Sequence, residues 1–354
     1  MIQNIELSKA GVSGAKTTGK LRLLDVAVAL GVSRTTVSNA FNRPEQLSKA
    51  LREDIIRKSK ELGYLGPDPA ARALRRSEIH EVAVVFHHNL SYLLSDPLSI
   101  NFLQGVAKEL DARQLSLQLI PNLGRNSHFE AALQTTANAL IFHGEIATNI
   151  PHEIHSMQKP LVLVDAFSEG TTSISIQDRN GAALAMNHVL GFQPDEIIVL
   201  SFPINAEERL RILTEIVPTH SVFIAGERMA GYVSAARESG FPLNRIFWLE
   251  IDESAPENAG EQIDRIHEKL MKGSRIGIVA MSDRIALAAR TTVAAWTDLK
   301  IVSIIGFDDI PFAATAGLTT IKQDSHRKGE LAVQALLDGA IPSPLSVTLV
   351  IRET

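Results

Sequence analysis

Cysteine is absent from this chain of 354 residues. That removes disulfide frameworks, thiolate nucleophiles and thiolate metal sites, and fits a reducing compartment. No apolar run approaches the roughly 18 residues that a membrane span needs. The opening stretch MIQNIELSKAGVSGAKTTGK lacks the apolar core of a secretory signal. Catalytic signatures are missing too: there is no Gly-rich phosphate loop, no G-x-S-x-G elbow and no His-x-x-x-His pair. Carboxylates are plentiful, yet nothing in their spacing sets the separation that glycosidic acid–base work requires. The expectation is a cytoplasmic protein that is not an enzyme and needs neither cofactor nor metal.

The formal net charge of −5 conceals an asymmetry. Residues 20–78 carry twelve Lys/Arg against seven Asp/Glu, whereas residues 79–354 carry 21 against 32. A basic head on an acidic body suits a nucleic-acid reader joined to a module that binds something else. The length suits two or three units rather than one small domain.

Residues 1–20, rich in Gly, Ser, Thr and Lys, read as a flexible arm. Three short helices follow: LLDVAVAL (23–30), SRTTVSNAF (33–41) and SKALREDIIRKSKELG (48–63). In the third, Ser48 is the expected N-cap, Gly63 ends the helix, and Leu51, Ile55 and Leu62 lie near one face. The first two are separated only by the turn GVS, the pattern of a helix-turn-helix. Its steep crossing needs a small residue, supplied by Ala27. The turn four residues later needs a positive φ, supplied by Gly31, and Val37 points back into the crossing. Val26, Leu30 and Val32 complete a miniature core. Arg34, Thr35, Thr36, Ser38 and Asn39 are thereby turned outward. Arg can fork to guanine, Asn can pair with adenine, and Thr offers a hydroxyl and a methyl to thymine. A merely solvated polar face is the plainer alternative, and the Ala–Gly–Val spacing inside a basic segment outweighs it. Arg52, Arg57, Lys58 and Lys60 are either phosphate contacts or a solvated helix face.

From residue 79 apolar runs alternate with helical segments. The expected strands are EVAVVF (81–86), LSLQLI (115–120), ALIF (139–142), LVLVD (161–165), EIIVL (196–200), SVFIA (221–225), RIFWLE (245–250), RIGIVAM (275–281) and IVSIIGF (301–307). Short, uniformly apolar strands, each followed by a helix, predict an α/β body with two doubly wound lobes of parallel sheet. Ligands sit at the carboxyl ends of such strands. Asp165 ends LVLVD, Arg228 starts the helix after SVFIA, Asp283 follows RIGIVAM, and Gln323 follows LTTIK. Asp283 and Asp165 have the alternative of simple capping. The first cleft loop, residues 87–102, offers Tyr92, Asp96 or Phe102, with His87 and His88 facing solvent. Asp308 and Asp309 read as turn formers. Phe247 or Trp248 is a stacking aromatic or core.

The string LLDVAVALGVSRTTVSNAFNRPEQLSKALREDIIRKSKELGYLGPDPAARALR resembles the N-terminus of the lactose-repressor/galactose-repressor (LacI/GalR) family. RMAGY (228–232), MSDRIALAA (281–289), SIIGFDDIP (303–311) and LTTIKQD (318–324) resemble that family's body. The resemblance implies a homodimer or tetramer. Each subunit would pair a three-helix DNA-binding headpiece with a two-lobed body similar to periplasmic sugar-binding proteins. It assigns base reading to Arg34, Thr35 and Asn39, with Ser33, Thr36 and Ser38 in backbone or supporting roles. It makes AARAL a hinge helix, in which Ala71 and Arg72 accompany Leu74, the wedge entering the minor groove. It also assigns Asp165, Arg228, Asp283 and Gln323 to a small polar effector: a sugar, a sugar derivative or a nucleoside or purine.

The implied division is an arm over 1–20, a headpiece over 21–66, a hinge over 67–78 and an effector-binding and dimerisation domain over 79–354. Its first lobe takes about 79–176 and 318–340, its second about 177–317 and 341–354. The expected function is a DNA-binding regulator, a repressor acting on double-stranded, pseudo-palindromic operator DNA without any membrane partner. The alternatives are a sugar-binding receptor or a sugar-processing enzyme with an accessory helical domain. The tail SVTLVIRET shows no heptad helix, which argues against coiled-coil tetramers.

Overall fold

The structure, a computed structural model, describes residues 21, 23–42, 46–64, 79–124, 127–144, 150–215, 221, 223–252 and 255–354. The chain divides into two compact units, Met1–Glu78 and Ile79–Thr354.

Within the first unit α1 (Leu23–Ala29), α2 (Arg34–Asn42) and α3 (Lys49–Glu61) surround a small core of Val26, Ala27, Val37, Ala40, Ile55 and Tyr64. Ala27 and Val37 are buried at the crossing, and Gly31 turns the chain at φ +65°. The Val32 amide donates to the Ala27 carbonyl at 3.1 Å, which closes the turn. Ser33 caps α2, its hydroxyl accepting from the Thr36 amide at 3.0 Å, and Ser48 caps α3. Leu51 and Leu62 are exposed. The third helix instead contacts the core through Ile55, with Tyr64 beyond its end meeting Phe41 edge-on. The helix is shorter and rotated relative to the apolar face expected from sequence.

The second unit holds two sheets. The first runs β2-β1-β3-β4-β5, all parallel, from β1 (Glu81–Phe86), β2 (Ser116–Ile120), β3 (Ala139–His143), β4 (Leu161–Val164) and β5 (Thr172–Ile174). Its helices include α4 (Leu90–Ser95), α5 (Pro97–Ala112), α6 (Ser127–Gln134) and α7 (His152–Ser156). The second sheet runs β11-β10-β9-β8-β6-β7, from β6 (Glu196–Ser201), β7 (Ile246–Glu250), β8 (Arg275–Ala280), β9 (Lys300–Asp308), β10 (Thr319–Lys322) and β11 (Thr348–Val350). It is parallel except for β11. Its helices include α8 (Asp178–Leu190), α9 (Ala206–Thr214), α10 (Ile224–Glu238), α11 (Asn258–His267), α12 (Asp283–Val293) and α13 (Pro311–Thr315). Strands such as Ile197–Leu200 are wholly buried, as expected where helices cover both faces.

Two sequence expectations need correction. SVFIA is not a strand: Ile224 and Ala225 already belong to α10, whose small residues Ala225, Gly226, Ala230 and Gly231 press it close to its neighbours. The boundary of the first lobe is also shifted. Thr319–Lys322 pairs in register with Ile305–Asp308, so this stretch belongs to the second sheet. The chain recrosses at Gln323–Asp324, and only α14 (Ser325–Asp338) returns to the first lobe. There Gly329 and Gly105 let α14 and α5 touch backbone to backbone, and the Ser325 hydroxyl donates to the Leu98 carbonyl at 2.9 Å.

Candidate functional sites

In the first unit Arg34 and Thr35 are exposed, and Thr36, Ser38 and Asn39 are half-buried. Ser33 and Thr36 pair hydroxyl to hydroxyl at 2.8 Å, which holds the start of α2 rigid. The Asn39 Nδ2 donates to Gln46 Oε1 at 2.8 Å. The basic residues of α3 have different surroundings. Arg52 Nε donates to the Ala40 carbonyl at 3.2 Å, tying α3 to α2. Arg57 pairs with Asp54 and Glu61, and Lys58 with Asp54, along the exposed helix face. Arg52 thus has a structural role that spacing alone does not reveal. Leu74, Ala71 and Arg72 lie outside the described residues.

The carboxyl ends of the strands in the second unit converge on a charged cleft. Asp165 follows β4 at φ +57°, with its amide held by the Ile174 carbonyl at 2.9 Å. One of its oxygens, Oδ2, pairs with the ammonium of Lys328, which reaches in from α14 and is 2% exposed. His143, at the end of β3, stands 3.9 Å from the same oxygen. Arg228, on α10, is 4% exposed and donates from Nε to Asp178 Oδ1 at 2.8 Å and from Nη1 to the Met281 carbonyl. Its guanidinium lies 3.6 Å from the centre of the Phe307 ring, a cation–π contact. Asp308 ends β9 at φ +118° and accepts from Gln323 Nε2 at 2.6 Å.

Burial is the dominant force on these charges. It pushes the Asp178 carboxyl above its ordinary range, against the pull of Arg228. It pushes Asp308 well up, with Arg228 opposing and the carboxylates of Asp283 and Asp96 adding to the rise. Burial also works against the charge on Arg228, but Asp178 and Asp308 outweigh it and hold the guanidinium above its usual value. Two buried acceptors in this cluster have no partner among the described residues: Asp165 Oδ1 and Gln323 Oε1. A groove of about 1230 Å³ opens beside Asp165 and Asp178, lined also by Phe167, Arg179 and Glu227.

Asp165, Arg228 and Gln323 therefore come together as the sequence suggests. Asp283 does not join them. It is fully buried inside the second lobe, accepting from Thr320 Oγ1 at 2.5 Å and from the Ile310 amide at 2.9 Å, and burial raises its carboxyl strongly. It buckles α12 to β10, while Ser282 is the helix cap. Phe102 is also core, fully buried against Phe86 and His143. Asp96 caps α5 by accepting from the Ser99 amide and hydroxyl at 2.8 and 2.7 Å. Tyr92 stacks on His88 at 4.1 Å, and Arg284 of the second lobe sits 5.1 Å from its ring. His87 and His88 are half-buried rather than solvent-facing. Phe247 and Trp248 pack on opposite faces of β7, an edge strand.

Asp308 was discoverable, because it ends a strand as Asp165 does; its twin Asp309 pairs with Arg352 and is the turn former. Asp178 carried the same signal at a helix start. Lys328 had none, since nothing local shows that a lysine early in α14 is driven inward. No group of three or more His, Cys, Asp or Glu among the described residues could hold a metal ion.

Comparison with known proteins bears on both units. The model of bacterial regulatory proteins of the lacI family matches residues 22–66, and that of a periplasmic binding protein-like domain matches residues 207–354. An HTH-type transcriptional regulator of Mycobacterium tuberculosis is 31% identical over 326 residues, 89% of this chain and 90% of that protein. Among solved structures, a lac repressor dimer bound to operator and the anti-inducer ONPF is 21% identical, covers 95% of this chain and 99% of its own, and superposes with a TM-score of 0.66. A LacI family regulator from Enterococcus faecium with bound ribose is 17% identical, covers 77% and 97%, and gives 0.61. With the helix-turn-helix core and the paired sheets in place, the chain belongs to the lacI family of bacterial regulatory proteins and is a DNA-binding transcriptional regulator.

Proposed function

We propose that this regulator is a repressor whose hold on operator DNA is set by a small hydroxylated effector, a sugar, sugar derivative or nucleoside, bound between the lobes. The observation that carries this reading is the pair of buried, unpartnered acceptors, Asp165 Oδ1 and Gln323 Oε1, beside ion pairs that are already complete. An unmet buried acceptor costs about 1–3 kcal/mol, and ligand hydroxyls would supply the missing donors. Carboxylates here (Asp96, Asp165, Asp178, Asp308) outnumber the cations Arg228 and Lys328. A donor-bearing, uncharged ligand fits that balance better than an acidic one. Asp165, Arg228, Asp308 and Gln323 line the site, with Tyr92 and Asp96 at its first-lobe side.

Arg34, Thr35 and Asn39 read bases, supported by Ser33, Thr36 and Ser38, and the chain acts in the cytoplasm as a homodimer rather than as an enzyme. Effector binding favours one relation of the lobes and so biases the hinge over 67–78, where Leu74, accompanied by Ala71 and Arg72, enters the minor groove. The ribose complex and the operator-bound lac repressor dimer support both halves of this mechanism by analogy. The test is thermal shift of the full chain against sugars, polyols and nucleosides, followed by gel shift with the stabilising compound. A rise in Tm that Asp165→Asn abolishes, together with altered operator affinity, is expected. A rise untouched by Asp165→Asn, or binding without any effect on DNA affinity, would overturn the reading.

A further inference from the structure

We propose that Lys328 and Asp165 together read a vicinal diol on the effector: Asp165 Oδ1 accepts from one hydroxyl while the Lys328 ammonium donates to the oxygen of its neighbour. The proposal rests on the reading that a small effector binds between the lobes, and it names the group by which that effector is held.

The two residues come from distant parts of the chain, Asp165 from the end of β4 and Lys328 from the first turn of α14, and both are held in place. The Asp165 amide donates to the Ile174 carbonyl at 2.9 Å. On either side of Lys328, α14 is tied to α5, by the Ser325 hydroxyl on the Leu98 carbonyl and by Gly329 against the α5 backbone. At 2% exposed, Lys328 cannot turn its ammonium out to bulk water. The ion pair is complete as charges and incomplete as hydrogen bonds. An ammonium carries three N–H donors, and among the described residues Asp165 Oδ2 is the one acceptor that Lys328 Nζ meets. Asp165 Oδ1 has no donor among them. Both side chains lie within electrostatic reach of Asp178 in the second lobe: after burial and Arg228, the Asp165 carboxylate raises its carboxyl and the Lys328 ammonium lowers it. Spare donors thus stand beside a spare acceptor where the lobes meet.

A hydroxyl both donates and accepts, so two on adjacent carbons can serve the carboxylate and the ammonium at once. The rotatable donors of an ammonium suit tetrahedral hydroxyls, whereas a flat base edge is matched by the planar forks of Arg, Asn or Gln. The pair is also neutral in sum, and Asp165 repels any phosphate or carboxylate that approaches Lys328. A compound lacking either hydroxyl leaves one charged partner unmet.

The experiment is calorimetric titration of the full chain with D-ribose, D-glucose, xylitol and, as a probe without a diol, adenine, followed by the monodeoxy forms of whichever diol binds. A diol is expected to bind and adenine is not. Lys328→Met should weaken the diol roughly tenfold or more, as for a hydrogen bond to a charged group. It should leave nearly unchanged the affinity for the monodeoxy form that lacks the hydroxyl Lys328 meets. A lysine that merely braces the fold would weaken both alike. Because Lys328→Met strands a buried carboxylate, the double variant Asp165→Asn/Lys328→Met, which removes both charges, is measured beside it. The double variant should melt near the native temperature and no longer discriminate the diol from its monodeoxy forms. Equal weakening of the diol and all its monodeoxy forms by Lys328→Met, or discrimination that survives in the double variant, overturns the proposal. If adenine binds and no diol does, the cleft remains an effector site and only the diol assignment falls; if no probe binds, both fall.

Discussion

Single side chains in this protein are placed under stress where burial and charge meet. His128 is the clearest case outside the cleft: it is 2% exposed, stacks on Phe129 at 4.2 Å, and neither ring nitrogen has a partner among the described residues. Burial, with a smaller contribution from the neighbouring His87, lowers its pKa from 6.5 to about 4. The folded state thus binds this proton less readily than the unfolded chain. Its contribution to stability is complete above pH 6.5 and is lost as pH falls toward 4. The full loss is bounded at about 3 kcal/mol. Urea titrations at pH 7 and pH 4.5 should show that His128→Phe flattens this slope; an unaltered slope would place the acid sensitivity elsewhere. Residue-scale chemistry was unevenly visible in the sequence. Asp165 and Gln323 could be placed because each follows directly on a strand, whereas Arg228 was placed after SVFIA, which is the start of α10 instead. Asp283 was misplaced because a carboxylate at a helix start looks alike whether it faces a cleft or, as here, Thr320.

Elements were easier to read than side chains. β1 has the bounds its apolar run implies, Glu81–Phe86, because charged or polar residues flank the run on both sides. SVFIA failed because four apolar residues do not distinguish a strand from the buried start of a helix. The lobe boundary failed because strand pairing, not hydrophobicity, assigns β10 to a sheet. The pairing of α5 with α14 was likewise invisible, since it depends on Gly105 and Gly329 meeting across a long sequence separation. It can be tested. In Gly105→Ala the new methyl would drive into the His326 carbonyl, which is backbone and cannot swing aside. Overpacking of this kind costs about 1–3 kcal/mol. The melting temperature of the effector domain should fall while the circular dichroism of the native fold is retained at low temperature. An unchanged melting temperature would show that the two helices can separate without cost.

At the scale of the molecule, a basic unit of 78 residues and an acidic body divide the work. If two subunits act together, each contributes one reading helix. Replacing one arm of the selected operator then removes half of the base contacts, each worth about 1–3 kcal/mol per base pair. Gel shifts of the full chain should show affinity falling by roughly a hundredfold or more toward the non-specific level, with the residual binding still strongly salt-dependent because the phosphates are unchanged. Equal affinity for one arm and two would indicate a chain that reads DNA as a monomer.

The return of α14 to the first lobe has a bearing on how the protein is made. The wall formed by α14 arrives only after every strand of the second lobe except β11 has been synthesised, so on the ribosome the first lobe stays open along one flank until residue 338 has emerged. The three-helix head draws on no such distant segment for its core. It can close early, leaving a nascent chain equipped with its reading helix before it owns a finished sensor.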